Sequence, residues 1–201
     1  GRGIGRSVAL CLAEAGADLA LWDRNKAALA HTQAEIQKKG VKATVAVFDV
    51  TDGAAVDEAV VQAVKDHGKI DTLVVNAGVN YLKPFLDWTP AEWDQVMAVN
   101  LSGSLFTMQS VGRHMTERKS GSVIAMASIY SFVGGPGNSI YCLTKGGLMQ
   151  LARCVSLEWA RYNVRVNCIC PGWIETDLTA PYMTEAKTVA AMSGGDFNAL
   201  F

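Results

Sequence analysis

The 201-residue sequence has no apolar run approaching the ~20 residues a helix needs to cross a bilayer, so no membrane partner is expected. It is also poor in charge. Only 18% of residues are Asp, Glu, Lys or Arg, the formal net charge is −1, and the sequence pI is about 6.3. A nucleic-acid binder would show a basic patch or stripe, and none is present. The three histidines, His31, His67 and His114, are scattered without metal-ligand spacing, and no CxxC pair occurs, so no metal site is expected. The five cysteines are odd in number and lie inside hydrophobic segments. They read as buried free thiols of a reducing compartment, which places the protein in the cytoplasm. There is no low-complexity stretch, linker, internal repeat or visible signal peptide.

What is there is alternation. Half the residues are hydrophobic and the mean hydropathy is +0.16, a composition that suits one globular domain over residues 1–201. Helices are predicted over 4–15, 26–39, 53–67, 91–118 and 139–162, and strands over 17–22, 42–48, 71–75, 121–127 and 164–169. Strands alternating with helices of this length imply βαβ units, and strands that are nearly continuous apolar runs imply a parallel sheet covered on both faces. The predicted fold is therefore α/β: a three-layer, Rossmann-type, doubly wound parallel sheet. The glycines at residues 1–5 need a strand before them, so the sheet is expected to lack its first, central strand, and the natural protein is expected to be longer at its N-terminus. Ligands of such sheets bind outside the carboxyl ends of the strands. Each motif below falls there.

Gly1-Arg2-Gly3-Ile4-Gly5 opens a helix, where glycines let the backbone approach a pyrophosphate and the helix N-terminus suits its charge. Asp23 ends the next strand, at about the 20-residue distance where an acid accepts hydrogen bonds from ribose hydroxyls, which favours NAD; it could equally cap the following helix. Arg2 and Arg24 complicate this, because a nearby Arg can accommodate the 2′-phosphate of NADP. Asp49-Val50 follows the third predicted element of sheet and could touch adenine or merely form a turn. Asn76-Ala77-Gly78 and Pro171-Gly172-Trp173-Ile174-Glu175-Thr176 each leave a strand. Tyr141 and Lys145 lie four apart and share a helix face. Ser128 leaves a strand before a Gly/Pro-rich loop, 131–138, long enough to fold its hydroxyl back to that helix. A free phenol titrates near 10, and moving it to neutrality takes roughly 4 kcal/mol, which a neighbouring Lys cation and an oxidised nicotinamide favour. Asn100 sits mid-helix, where Asn is a mediocre former, either solvated or bonded locally.

Together these motifs resemble the short-chain dehydrogenase/reductase family from residue 1 to about 180. Gly3-Ile4-Gly5 is similar to the end of the family's TGxxxGxG loop, Asp49-Val50 to its adenine-contacting pair, and Asn76-Ala77-Gly78 to its NNAG motif, with Val75 replacing the first Asn. Asn100, Ser128, Tyr141 and Lys145 resemble the catalytic tetrad. Pro171, Gly172, Ile174 and Thr176 resemble the segment beside the nicotinamide. The resemblance implies NAD(P)-dependent interconversion of a secondary alcohol and a carbonyl. Tyr141 would be the acid/base, Ser128 would bond the substrate oxygen, Lys145 would bind the nicotinamide ribose and lower the Tyr141 pKa, and Asn100 would hold a proton-relaying water. It further implies a homotetramer or homodimer through helices 91–118 and 139–162, and a substrate lid or irregular tail over 177–201. Family members continue for roughly fifty residues where this chain ends. The alternatives are a non-catalytic dinucleotide-binding protein and an inactive truncated fragment of the enzyme. The small-molecule alcohol or carbonyl substrate is expected between loop 80–89 (Tyr81, Phe85, Trp88), stretch 131–139 and Trp173, and a sugar-type or small secondary alcohol suits that mix.

Overall fold

The computed structural model of the chain describes residues 1–180. The elements follow in the order α1 (Gly3–Glu14), β1 (Leu19–Asp23), α2 (Lys26–Gln37), β2 (Ala43–Val47), α3 (Gly53–His67), β3 (Thr72–Val75), α4 (Pro90–Met97), α5 (Gly103–Arg118), β4 (Gly121–Met126), α6 (Ser139–Trp159) and β5 (Val164–Ile169). All strand pairs are parallel. β1 pairs with β2, and β4 lies between β3 and β5. No ladder joins β1 to β3 among the described residues, so the parallel order breaks beside the strand that the glycine loop was expected to follow.

Local chemistry sets the ends. Asn25 caps α2 by accepting from the Ala28 amide, and Asp52 caps α3 by accepting from Ala55. Gly68 ends α3 in the left-handed region, at φ 79°, where a Cβ would be strained. Thr89 and Glu92 form a reciprocal capping box at α4, with Pro90 in its first turn.

One expectation is corrected here. The helix predicted over 91–118 is not a single α-helix, because residues Ala98–Ser102 form a π-helical turn between α4 and α5. The wider turn carries one extra residue and shifts the helical phase, and Asn100 lies in it, fully buried. The last predicted helix also tightens at its end, with α6 stopping at Trp159 and a 3₁₀ turn following over Ala160–Tyr162.

Two cores lie on opposite faces of the sheet. Ala9, Ala13, Ile36 and Ala43 form one beneath α1 and α2, with Leu19 and Leu21 packed on it. Val60, Met108, Val111, Val123, Leu148 and their neighbours form the other beneath α3, α5 and α6, with Trp22 packed on it. Leu21 and Trp22 are adjacent in β1 and point to different faces, which is the period-2 alternation of a strand covered on both sides. This gives three layers. Gly112 of α5 leaves room for the Trp159 ring at the end of α6: a Cβ there would lie 2.2 Å from that ring. Gly112→Ala is expected to lower the unfolding free energy by about 1–3 kcal/mol through overpacking. Urea unfolding checks this, and a loss no larger than the ~0.5 kcal/mol of an ordinary surface change would show that the two helices part freely.

Candidate active site

The glycine loop and the exits of the five strands carry the candidate site residues. α1 starts at Gly3, whose φ of 57° is left-handed, and Arg2 at its N-cap makes no side-chain cap. The first turn has no acidic residue. Its amides, from Gly3, Ile4 and Gly5 onward, therefore suit an anion. Gly5 is required by proximity, since a Cβ there would come within 2.6 Å of the Asn76 amide. So the glycine loop meets the exit of β3 although β1 and β3 share no ladder. A dinucleotide pyrophosphate suits such a helix start, and a side chain at Gly5 would collide with Asn76 beside it.

Asp23 ends β1. It accepts from the Gly1 nitrogen and from the Asn25 amide at 2.8 Å, and it does not cap α2, which Asn25 does. The Arg24 guanidinium lies 3.6 Å from Asp49. Asp49 also accepts from the Thr51 amide (3.0 Å) and hydroxyl (2.9 Å), so the turn reading of this position holds. Val50 packs on the start of α5, where a Cβ on Gly103 would lie 2.6 Å from it. Val75, which stands where the family has an Asn, is a core residue. Its apolar side chain belongs at that depth. Ala77 is exposed beyond it.

The segment after β5 turns back over the glycine loop. Pro171 accepts from the Ile129 amide at 3.0 Å, Ile174 accepts from the Thr179 hydroxyl at 2.6 Å, and Thr176 sits 3.6 Å from where a Gly3 Cβ would be. Arg2 reaches Asp177 at 3.4 Å on the open surface. Of the lid predicted over 177–201, residues 181–201 lie outside the described residues.

Ser128 leaves β4 in extended conformation, accepts from the Tyr130 amide at 3.2 Å, and lines the same cleft as Tyr141. Tyr141 and Lys145 share a face of α6. The Lys145 ammonium donates to the Met126 carbonyl at 2.7 Å and lies 5.6 Å from the centre of the Tyr141 ring. Burial, at 4% exposure, pushes the Lys145 pKa down to about 8. Burial raises the Tyr141 pKa, against a smaller opposing effect of the Ser128 hydroxyl. Desolvation dominates because the phenol is held among Tyr130, Ser128 and the loop, with the cation drawn to a carbonyl instead.

Asn100 is neither solvated nor bonded within its own turn: it is fully buried, and its side chain bonds residues distant in the chain. Its Oδ1 accepts from the Val79 amide at 2.8 Å, and its Nδ2 donates to the Val79 carbonyl at 2.9 Å and to the Thr144 hydroxyl at 3.1 Å. Thr144 in turn donates to the Tyr141 carbonyl at 2.8 Å. A Cβ on Gly78 would be 3.5 Å from both Asn100 and Lys145. The π turn thus ties the β3 exit to the helix that carries Tyr141. Thr144 and the Met126 carbonyl escaped the sequence reading; the only signal for Thr144 is its place beside Lys145.

A cleft runs between these loops, and Ser128, Tyr141, Gly172 and Trp173 line it with Asn80 and Asn138. Tyr130, which the sequence did not single out, stands in it edge-on to both Tyr141 (6.3 Å) and Trp173 (6.5 Å). Tyr81, Phe85 and Trp88 lie outside that lining, contrary to expectation. Tyr81 bonds Gln95 and packs edge-on to Trp88, and Phe85 is 67% exposed. Among the described residues no cluster of His, Cys, Asp or Glu could hold a metal, and no helix is long and apolar enough to cross a membrane.

An anion cradle at a helix start, with a Ser and a Tyr on one cleft of a parallel α/β sheet and a Lys buried behind them, is the arrangement of a nucleotide-dependent oxidoreductase site. The sequence profile described as short chain dehydrogenase matches residues 1–187. The chain belongs to that family, and as such is an NAD(P)-dependent oxidoreductase. It is 36% identical over 178 residues to gluconate 5-dehydrogenase of Gluconobacter oxydans, covering 89% of this chain and 70% of that protein. Its structure is similar to that of a gluconate 5-dehydrogenase from Burkholderia cenocepacia in complex with NADP and tartrate (TM-score 0.88, 36% identity, 94% of this chain and 74% of that one). It is similar too to NAD⁺-bound xylitol dehydrogenase (TM-score 0.87, 35% identity, 92% and 72%).

Proposed function

We propose that the protein interconverts a secondary alcohol and a carbonyl, with Tyr141 as the acid/base. The observation that carries this is the convergence of Ser128 and Tyr141 on one cleft with Lys145 buried behind them. A bound nicotinamide dinucleotide would supply or accept the hydride. The residues present fit it: α1 amides at the pyrophosphate, Asp23 at the adenosine ribose, Asp49 and Val50 near the adenine, Asn76, Ala77 and Gly78 along its length, and Pro171, Gly172, Ile174 and Thr176 beside the ring. In reduction the Tyr141 hydroxyl gives its proton to the carbonyl oxygen, and in oxidation it takes that proton back. The Ser128 hydroxyl donates to the same oxygen and stabilises the charge that develops there. The Lys145 ammonium, fixed by the Met126 carbonyl, binds the nicotinamide ribose and supplies a cation beside the phenol. Asn100 is a positioning residue with both N–H donors already committed; the lone pair left on its oxygen, close to Lys145, can hold a relaying water. Leu105 of α5 and Leu143 and Leu157 of α6 are exposed, which supports pairing of copies through these helices as a homodimer or homotetramer.

The cofactor is read as NAD rather than NADP, because the Asp23 carboxylate would meet a 2′-phosphate. Turnover with a panel of secondary alcohols, followed by the absorbance of reduced nicotinamide, is expected to favour NAD⁺. Asp23→Ser is expected to cut that preference at least ~10-fold, corresponding to about 1.4 kcal/mol. A wild-type preference for NADP⁺ would transfer the reading to Arg2 and Arg24.

A further inference from the structure

The proposed chemistry uses Ser128, Tyr141 and Lys145 but leaves two amides on the same cleft unexplained. Asn138 is 2% exposed and occupies the N-cap of α6. An Asn there ordinarily turns its side chain onto the first amides of the helix. This one does not. Its Nδ2 donates to the Pro136 carbonyl at 3.2 Å, and its Oδ1 accepts from Asn80 Nδ2 at 2.9 Å. Asn80 comes from the loop after β3. The two loops are joined a second time by the Lys83 amide, which donates to the Gly137 carbonyl at 3.0 Å. The result is a fixed pair of amides lining the cleft with Ser128 and Tyr141. The rings of Tyr130 and Trp173 line it too.

Burying an amide costs free energy unless it is bonded, and a cap is surrendered as well. A tie between loops alone could be made by backbone groups, as Lys83 and Gly137 already do. Amides both donate and accept, so they match hydroxyls, while aromatic rings match the C–H faces between hydroxyls. A mostly apolar site with a few placed polar groups orients one ligand in one way. We propose that Asn80 and Asn138 bind a hydroxyl on the carbon next to the reacting one, so that the substrates are vicinal diols and the corresponding α-hydroxy ketones rather than isolated secondary alcohols. This rests on the hydride-transfer reading of the same cleft.

The test compares butane-2,3-diol with butan-2-ol, which differ only in the neighbouring hydroxyl. A site built to bond a hydroxyl rejects the analogue without it, so wild-type kcat/KM is expected to favour the diol by at least ~100-fold. Asn138→Ala is expected to lower that ratio to below about 10-fold, mainly by losing activity on the diol. Asn80→Ala in the outer loop is the second variant, which keeps the test open should Asn138→Ala fold poorly. A fall on both alcohols alike, with the ratio intact, would mean a purely structural tie and overturn the proposal. So would a wild-type enzyme that takes both equally. Turnover of neither alcohol counts against the hydride-transfer reading. Calorimetric titration of butane-2,3-diol into the dinucleotide-loaded protein then decides this one: binding that Asn138→Ala abolishes supports it, and no binding overturns it.

Discussion

Tyr141→Phe is expected to reduce hydride transfer by roughly 10²–10⁴-fold, the span of a single positioned acid/base group, while dinucleotide affinity stays within about a factor of two of wild type. The argument is local. The substitution deletes one oxygen and leaves the ring, which packs edge-on to Tyr130 at 6.3 Å. The pH dependence adds a second reading of the same group. Burial raises the phenol's pKa, so it holds its proton at neutral pH and is ready to donate in the reductive direction. Alcohol oxidation needs the phenolate instead. Its kcat/KM should therefore climb as pH rises above neutrality, and residual activity in Tyr141→Phe should lose that climb. Stopped-flow absorbance of the nicotinamide across pH measures both. Full activity in the Phe variant would remove Tyr141 from the chemistry.

Lys145→Met carries the other large effect. Turnover is expected to fall by on the order of 10²–10³-fold, the cost of removing one placed donor from a charge-stabilising site, and dinucleotide affinity is expected to weaken with it. That joint loss separates Lys145 from Tyr141. Stability moves the opposite way near neutral pH. Burial lowers the Lys145 pKa from its ordinary 10.5 to about 8, so the folded chain binds this proton more weakly than the unfolded chain does. Between those two values the unfolded state holds the extra proton, and wild-type stability therefore gains as pH rises through the window. The gain amounts to on the order of 3 kcal/mol for a shift of this size. Lys145→Met should lack it, so urea unfolding at about pH 7 and about pH 10 should show wild type gaining on the variant. Part of the variant's advantage at pH 7 is offset because the Met126 carbonyl loses its donor, at about 1–3 kcal/mol. Parallel pH profiles for the two proteins would show that the ammonium is not held in a desolvated place.

Residues close in sequence were easy to interpret. Tyr141 and Lys145 are one helical turn apart, and α3 and β5 fall over residues 53–67 and 164–169 as predicted, because Asp52, Gly68 and an apolar β run mark them. Asn100 shows where local reasoning stops. Its low helix propensity was a real signal, but whether it faced solvent or the interior depended on a π turn. That turn is stabilised by Val79 and Thr144, which are 21 and 44 residues away. The pair of Lys145 and Tyr141 shows a related limit. Spacing gives the distance between two side chains but not the dielectric around them, nor the carbonyl that claims the ammonium.

The sequence by itself determined the parallel α/β sheet, the family, and the order of glycine loop, Asn, Ser, Tyr and Lys, because periodicity, strand exits and helix caps are written in neighbouring residues. Only the tertiary structure decided that α1 meets the β3 exit through Gly5 and Asn76, that Tyr130 rather than Tyr81 or Phe85 walls the cleft, and that Asn80 and Asn138 pair across it. Those contacts join segments far apart in the chain, and their energies depend on burial and close packing, which exist only once the layers have come together.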